Sequence, residues 1–136
     1  MNKTLNINFY QNTAKLFYAV AAADNVVRKE EFDILKKLVQ EEWLTIEDSR
    51  DNYNTDAAYQ LEIVFDWLQS QELDSEKCYK EFISYMNNHP YFFTENINDL
   101  IIKTAGKIAA SFRGTNKAEL IILAKLDLAL KQLKNW

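Results

Sequence analysis

Two glycines and one proline are all that 136 residues provide for sharp turns. A sandwich or barrel needs turn residues at intervals of about 8–12 positions, so the chain is steered away from β architecture and toward long helices with few connections. Apolar residues at three- and four-residue spacing trace those helices. The first is predicted over 9–23, after a short polar leader at 1–8, with Phe9, Leu16, Phe17, Val20 and Ala23 inward. The second is predicted over 29–43, with Phe32, Leu35, Leu38 and Val39 inward and Glu30 and Glu31 in its first turn, where carboxylates suit the positive helix N-terminus. A polar stretch over 44–55 reads as the longest loop. The third helix follows a Thr55 or Asp56 cap and carries the stripe Ala57, Ala58, Leu61, Val64, Phe65 and Leu68. The fourth opens at Asp74-Ser75-Glu76, turns Cys78, Phe82, Tyr85 and Met86 inward, and stops before Pro90. The fifth starts near Thr94 or Asn96 and ends at Gly114. Asn116 and Glu119 then resemble a capping box that opens the sixth. That last helix is apolar on more than one side up to Leu130, which predicts a central helix contacted from two sides. The expectation is a single compact all-α domain of about six helices over 1–136.

Composition narrows the function classes. With 48% hydrophobic and 26% charged residues the chain reads as an ordinary globular domain. Its net charge of −4 shows no basic stripe, which argues against nucleic acid as a partner. No run reaches the ~18 apolar residues of a membrane span. The apolar run over 16–23 ends in small residues like a signal peptide, but it is short and Lys15 abuts it. The single cysteine, Cys78, has no intramolecular partner. A cytoplasmic location is therefore expected.

The stretch over 16–39, LFYAVAAADNVVRKEEFDILKKLV, is the most informative text in the chain. It reads as the end of one helix, a turn at 24–28 and the start of another, with Asn25 suited to the left-handed conformation that closes helices. A faint repeat accompanies it: Ala22 aligns with Ala109, Glu31 with Glu119, Phe32 with Leu120, Leu35 with Leu123 and Leu38 with Leu126. Two pseudo-repeated helix hairpins in one core are expected. The run from Ala21-Ala22-Ala23-Asp24 to Glu31, followed by Phe32, Leu35 and Leu38, resembles the tellurite-resistance TerB-like family. The resemblance covers two stretches, about a third of the chain. It departs from the family pattern at Asn25 (usually Gly), at Arg28 (usually a capping Ser or Thr) and at Ser111-Phe112, which replaces the second acidic pair. It implies an all-α fold, a link to tellurite and stress responses, and acidic positions at Asp24, Glu31 and Glu119 that in some members are proposed to interact with metal ions.

Each candidate residue has a chemical and a plain reading. Asp24 and Glu31 either cap the second helix or, with Glu119, donate oxygens to a divalent cation; a hard cation asks for about six to eight oxygens. The loop residues Asp48, Asp51, Tyr53 and Asp56 read as a partner surface on a solvated loop. His89 is the only histidine and reads as a helix C-terminal residue, and Cys78 as a small buried hydrophobe. Tyr91, Phe92 and Phe93 read as core or as an exposed docking patch, and Trp136 likewise. Asp127 reads as an exposed residue on a thin polar strip of the last helix, or as a paired interior carboxylate. No catalytic set and no phosphate-binding glycine loop is visible. The expectation is a non-enzymatic interaction protein with no cofactor, which presents an acidic surface to a protein partner or to a second copy of itself. The alternative is a divalent-cation binder.

Overall fold

A computed structural model describes residues 5–45, 57–111 and 116–134. Asp48, Asp51, Tyr53, Asp56, Gly114 and Trp136 lie outside those residues. The described chain is all-α. Its helices are α1 (Ile7–Ala21), α2 (Lys29–Glu41), α3 (Gln60–Ser70), α4 (Ser75–Asn88), α5 (Glu95–Ala110) and α6 (Lys117–Lys134), with short 3-10 turns at Trp43–Thr45 and Pro90–Phe92. No described helix is long and apolar enough to cross a membrane.

The central helix is α1, not α6. Leu16, Phe17, Tyr18, Ala19, Val20, Ala21 and Ala22 are all buried, which is two full turns enclosed on every side. It packs against α3, α4, α5 and α6. The run of small residues at its end lets neighbours approach closely from several directions. By contrast α6 buries a single stripe of Ile122, Leu126, Leu130 and Leu133, and leaves Leu120, Ile121 and Leu128 exposed. Its surplus apolar residues face out rather than into a second layer.

At the start of the described chain Asn6 caps α1 by accepting from the Phe9 backbone N–H at 2.9 Å, and Leu5 is buried while Asn6, Ile7 and Asn8 are exposed. Below it lies an aromatic cluster of Phe9, Tyr10, Phe17 and Trp43, with ring centroids 5.2–6.5 Å apart in edge and tilted contacts. Each such pair adds roughly 0.5–1.5 kcal/mol beyond the area it buries. The Trp43 indole N–H donates to Thr104 Oγ1 at 3.0 Å, which satisfies a polar group inside the cluster and ties the end of α2 to α5. Phe92 and Phe93 join the core, while Tyr91 stays about half exposed.

The expected caps are in place. Asp74 accepts from the Lys77 N–H at 2.9 Å at the start of α4, and Thr94 from the Ile97 N–H at 3.3 Å at the start of α5. Asp127 is ion-paired with Lys131 at 2.9 Å on the outer side of α6.

Candidate functional site

The turn between α1 and α2 and the first residues of α6 meet at one network. Asn25 takes a left-handed conformation, with φ 68°, as the sequence suggests. That turn brings Asp24 back over its own chain, and its Oδ1 accepts from the Val26 N–H at 3.1 Å. Its Oδ2 accepts from Asn116 Nδ2 at 2.7 Å and pairs with the Arg28 guanidinium at 3.1 Å. Asp24 thus links two segments 92 positions apart in the chain.

Two helices begin at this network, and they begin alike. Glu31 Oε1 accepts from the Arg28 backbone N–H at 2.7 Å, and Glu119 Oε1 accepts from the Asn116 backbone N–H at 3.0 Å. Each glutamate sits at the third position of its helix and reaches back to the cap residue. Asn116 completes its box by accepting from the Glu119 N–H at 2.9 Å. Arg28 has no acceptor to return, so the α2 box is only half made. The likeness of these two helix starts lies at the aligned pair Glu31 and Glu119.

Both glutamates are interior groups, each 1% exposed. Sequence patterning places a first-turn glutamate in solvent, so this burial is the main finding at the site. The two carboxyl groups face one another. Burial, above all, drives the Glu31 carboxyl up to about 8; the facing Glu119 carboxyl pushes the same way, and the Arg28 N–H and guanidinium oppose it. Glu119 Oε2 is fully buried with no hydrogen-bond partner among heavy atoms as drawn for two carboxylates. A proton on Glu31 removes one buried charge and would supply a donor for the Glu119 oxygen.

Asp24, Glu31 and Glu119 therefore come together as one network, but not as a three-carboxylate cup. Asp24 spends both oxygens on Val26, Asn116 and Arg28. No group of three or more His, Cys, Asp or Glu side chains placed to hold a metal is found among the described residues. The donors present fall short of a hard cation's shell. Nor is this corner an acidic surface, since Glu31 and Glu119 are inside.

The other candidates take their plain readings. Cys78 is buried and its thiol is pushed up to about 11, chiefly by burial. The His89 ring meets the Tyr85 carbonyl through Nδ1 at 3.0 Å and stacks on the Tyr85 ring. No family model, curated protein or solved structure matches the chain.

Exposed carboxylates lie elsewhere, around the α3–α4 connection. Glu72, Asp74 and Glu76 line two depressions on either side of the α1–α2 turn, of about 270 Å³ and about 290 Å³. Nothing in the hydrophobic pattern marked them. The one available signal was that no glycine follows α3 where a helix end favours one.

Proposed function

We propose that this chain is a non-enzymatic, TerB-like interaction module of the cytoplasm that works by docking a protein partner. The observation that carries the reading is the outer side of α6, where Leu120, Ile121 and Leu128 are about half or more exposed. Ile121 and Leu128 are seven residues apart and so lie on one helix face, and Ile121 borders the groove lined by Asp74 and Glu76. Lys125 lies between Ile121 and Leu128 on that side and lines the same groove, so the strip has charges of both signs at its edge, and an exposed apolar strip with a polar rim is the anatomy of a recognition surface. The buried glutamate network has a supporting part: it fixes the α1–α2 turn and the start of α6 relative to each other.

The test is site-specific photo-crosslinking in the native cell, with a benzophenone amino acid at Leu128 and, as control, at Lys80 on exposed α4. A discrete adduct at Leu128 that is absent at Lys80 is expected; an adduct of twice the chain mass would make the partner a second copy. Identical or absent adducts at both positions would defeat the reading.

The divalent-cation alternative, through Asp24, Glu31 and Glu119, has one observation in its favour, the buried unpartnered Oε2 of Glu119. It is checked by melting EDTA-stripped protein with Ca²⁺, Mg²⁺, Mn²⁺ and Zn²⁺ in turn. A saturable rise lost in Glu31→Gln would establish it, because a ligand bound only by the native state raises stability. A proton on Glu31 predicts no such rise.

A further inference from the structure

The two depressions beside the α1–α2 turn adjoin, sharing Asn25 and Ser75, and together form a trough. The first, about 270 Å³, has Ala22, Val27 and Leu73 as apolar walls and Asn25, Gln69 and Glu72 as polar ones. Two further polar side chains on its lining are already engaged: the Tyr18 hydroxyl donates to the Leu73 carbonyl at 2.7 Å, and Ser75 Oγ donates to the Ala19 carbonyl at 2.6 Å. Among the described residues of this lining Glu72 is the one acidic side chain, and no lysine or arginine shares it. No described hydrogen bond or ion pair engages its carboxylate. Burial above all, then Cys78, and then Glu72 and Asp74 hold the Tyr18 phenol above its ordinary range.

Glu72 is also in an unfavourable place. It follows α3 in the left-handed conformation, with φ 51°. Its N–H bonds the Gln69 carbonyl at 3.1 Å and the next N–H, of Leu73, bonds the Leu68 carbonyl at 3.3 Å, the pairing of a Schellman helix end. That position favours glycine, because a Cβ there crowds the backbone. A carboxylate stands where glycine would serve the fold better, at the edge of a cavity with stem-lining walls and acceptor atoms.

We propose that the first depression receives a lysine or arginine side chain carried by an extended segment of the partner protein, with an apolar side chain of the same segment seated against Ile121 in the adjoining groove. Apolar walls suit the methylene stem of a basic side chain while its charged head meets Glu72 and the amide oxygens of Gln69 and Asn25. The second depression supplies Ala118, Ile121 and Ile122 for the apolar neighbour, with Asp74, Glu76 and Lys125 on its lining, and Glu76 already pairs with Lys80 at 3.1 Å. The preference for a basic side chain therefore rests on the first depression, where Glu72 shares the lining with no described lysine or arginine, on a chain of net charge −4. This inference names the chemistry of the partner and rests on the docking reading.

The test is an amide-shift NMR titration of the full chain with n-butylamine and agmatine, using n-butanol as the uncharged control. Both cations are expected to give saturable shifts at Asn25, Gln69, Glu72 and Ser75, with dissociation constants on the order of 1–10 mM, as suits ligands this small. Binding should weaken at least tenfold in Glu72→Gln and in Glu72→Gly. Glu72→Gly also guards against misfolding, since relief of the left-handed residue should raise the melting temperature by about 3 °C. Absence of saturable shifts, equal shifts with n-butanol, or unchanged affinity in both variants would overturn the cation site. A partner adduct at Leu128 without amine binding would sink this inference and leave the docking reading standing. Amine binding without an adduct would uphold the cation site and remove the docking reading.

Discussion

The buried glutamate pair makes the stability of this fold depend on pH in an uncommon direction. A glutamate in the unfolded chain ionises near 4.5, whereas Glu31 in the folded chain does so at about 8. Between those values the native state holds a proton that the unfolded state has released, so stability falls as pH rises. The contribution is fully present below pH 4.5, is lost progressively through neutral pH, and levels off above about 8. One proton corresponds to about 1.4 kcal/mol per pH unit, so the loss from pH 5 to pH 8 is on the order of 4 kcal/mol. That is a large share of the roughly 5–15 kcal/mol that holds a domain together. With a urea slope of about 2 kcal/mol per molar, the unfolding midpoint should drop by roughly 2 M over that range. Glu31→Gln copies the protonated state at every pH, because its amide oxygen can still accept from Arg28 and its NH₂ can donate to Glu119. The variant should lie within about 1 kcal/mol of wild type at pH 5 and exceed it by on the order of 3 kcal/mol at pH 8. The difference between the two curves removes the contribution of groups that do not touch this pair. Wild type and Glu31→Gln tracing parallel curves from pH 5 to pH 8 would refute the proton on Glu31.

Other consequences are simpler to check. Asp24→Ala removes three partners at once, the Val26 N–H, Asn116 Nδ2 and the Arg28 guanidinium; it should cost about 1–3 kcal/mol in urea unfolding, and a loss under about 0.3 kcal/mol would show that the α1–α2 turn stands without it. Phe17→Ala empties a fully buried site on the central helix beside Trp43 and should cost about 3–5 kcal/mol; a cost near 1 kcal/mol would mean that α1 is not enclosed as described. The Cys78 thiol is buried and raised to about 11, so an aromatic disulfide reagent at pH 7.5 should modify it only as fast as the protein opens, and modification within seconds without denaturant would contradict its place in the core.

What the sequence made legible was the part governed by local rules. The helical stripes of α3 and α4, the Asp74 cap, the Asn116–Glu119 box and the left-handed Asn25 each follow from residues within a few positions of one another. The choice of central helix did not follow, because counting apolar residues on α6 says nothing of which faces find neighbours. Leu120, Ile121 and Leu128 face solvent, while the smaller residues at the end of α1 are enclosed.

The burial of Glu31 and Glu119 is the deeper case. A glutamate in a first helical turn is read as an exposed partner of the helix dipole, and both residues do bond their own cap N–H groups as that rule states. What the rule omits is that two helix starts can be turned toward each other. Each cap then delivers a carboxyl to the same interior point, where burial and the facing carboxyl hold the Glu31 carboxyl above its ordinary range. The signal was present as two copies of one spacing, Arg28 to Glu31 and Asn116 to Glu119, but it acquires meaning only once Asp24 bonds Asn116 across 92 positions. A corner that reads as an acidic surface in the sequence is thus an internal joint, while Glu72, Asp74 and Glu76 are exposed around the α3–α4 connection. There, the absence of a glycine after α3 is a stronger hint than the charges themselves, because a side chain held in a left-handed turn costs the fold stability that a glycine would save.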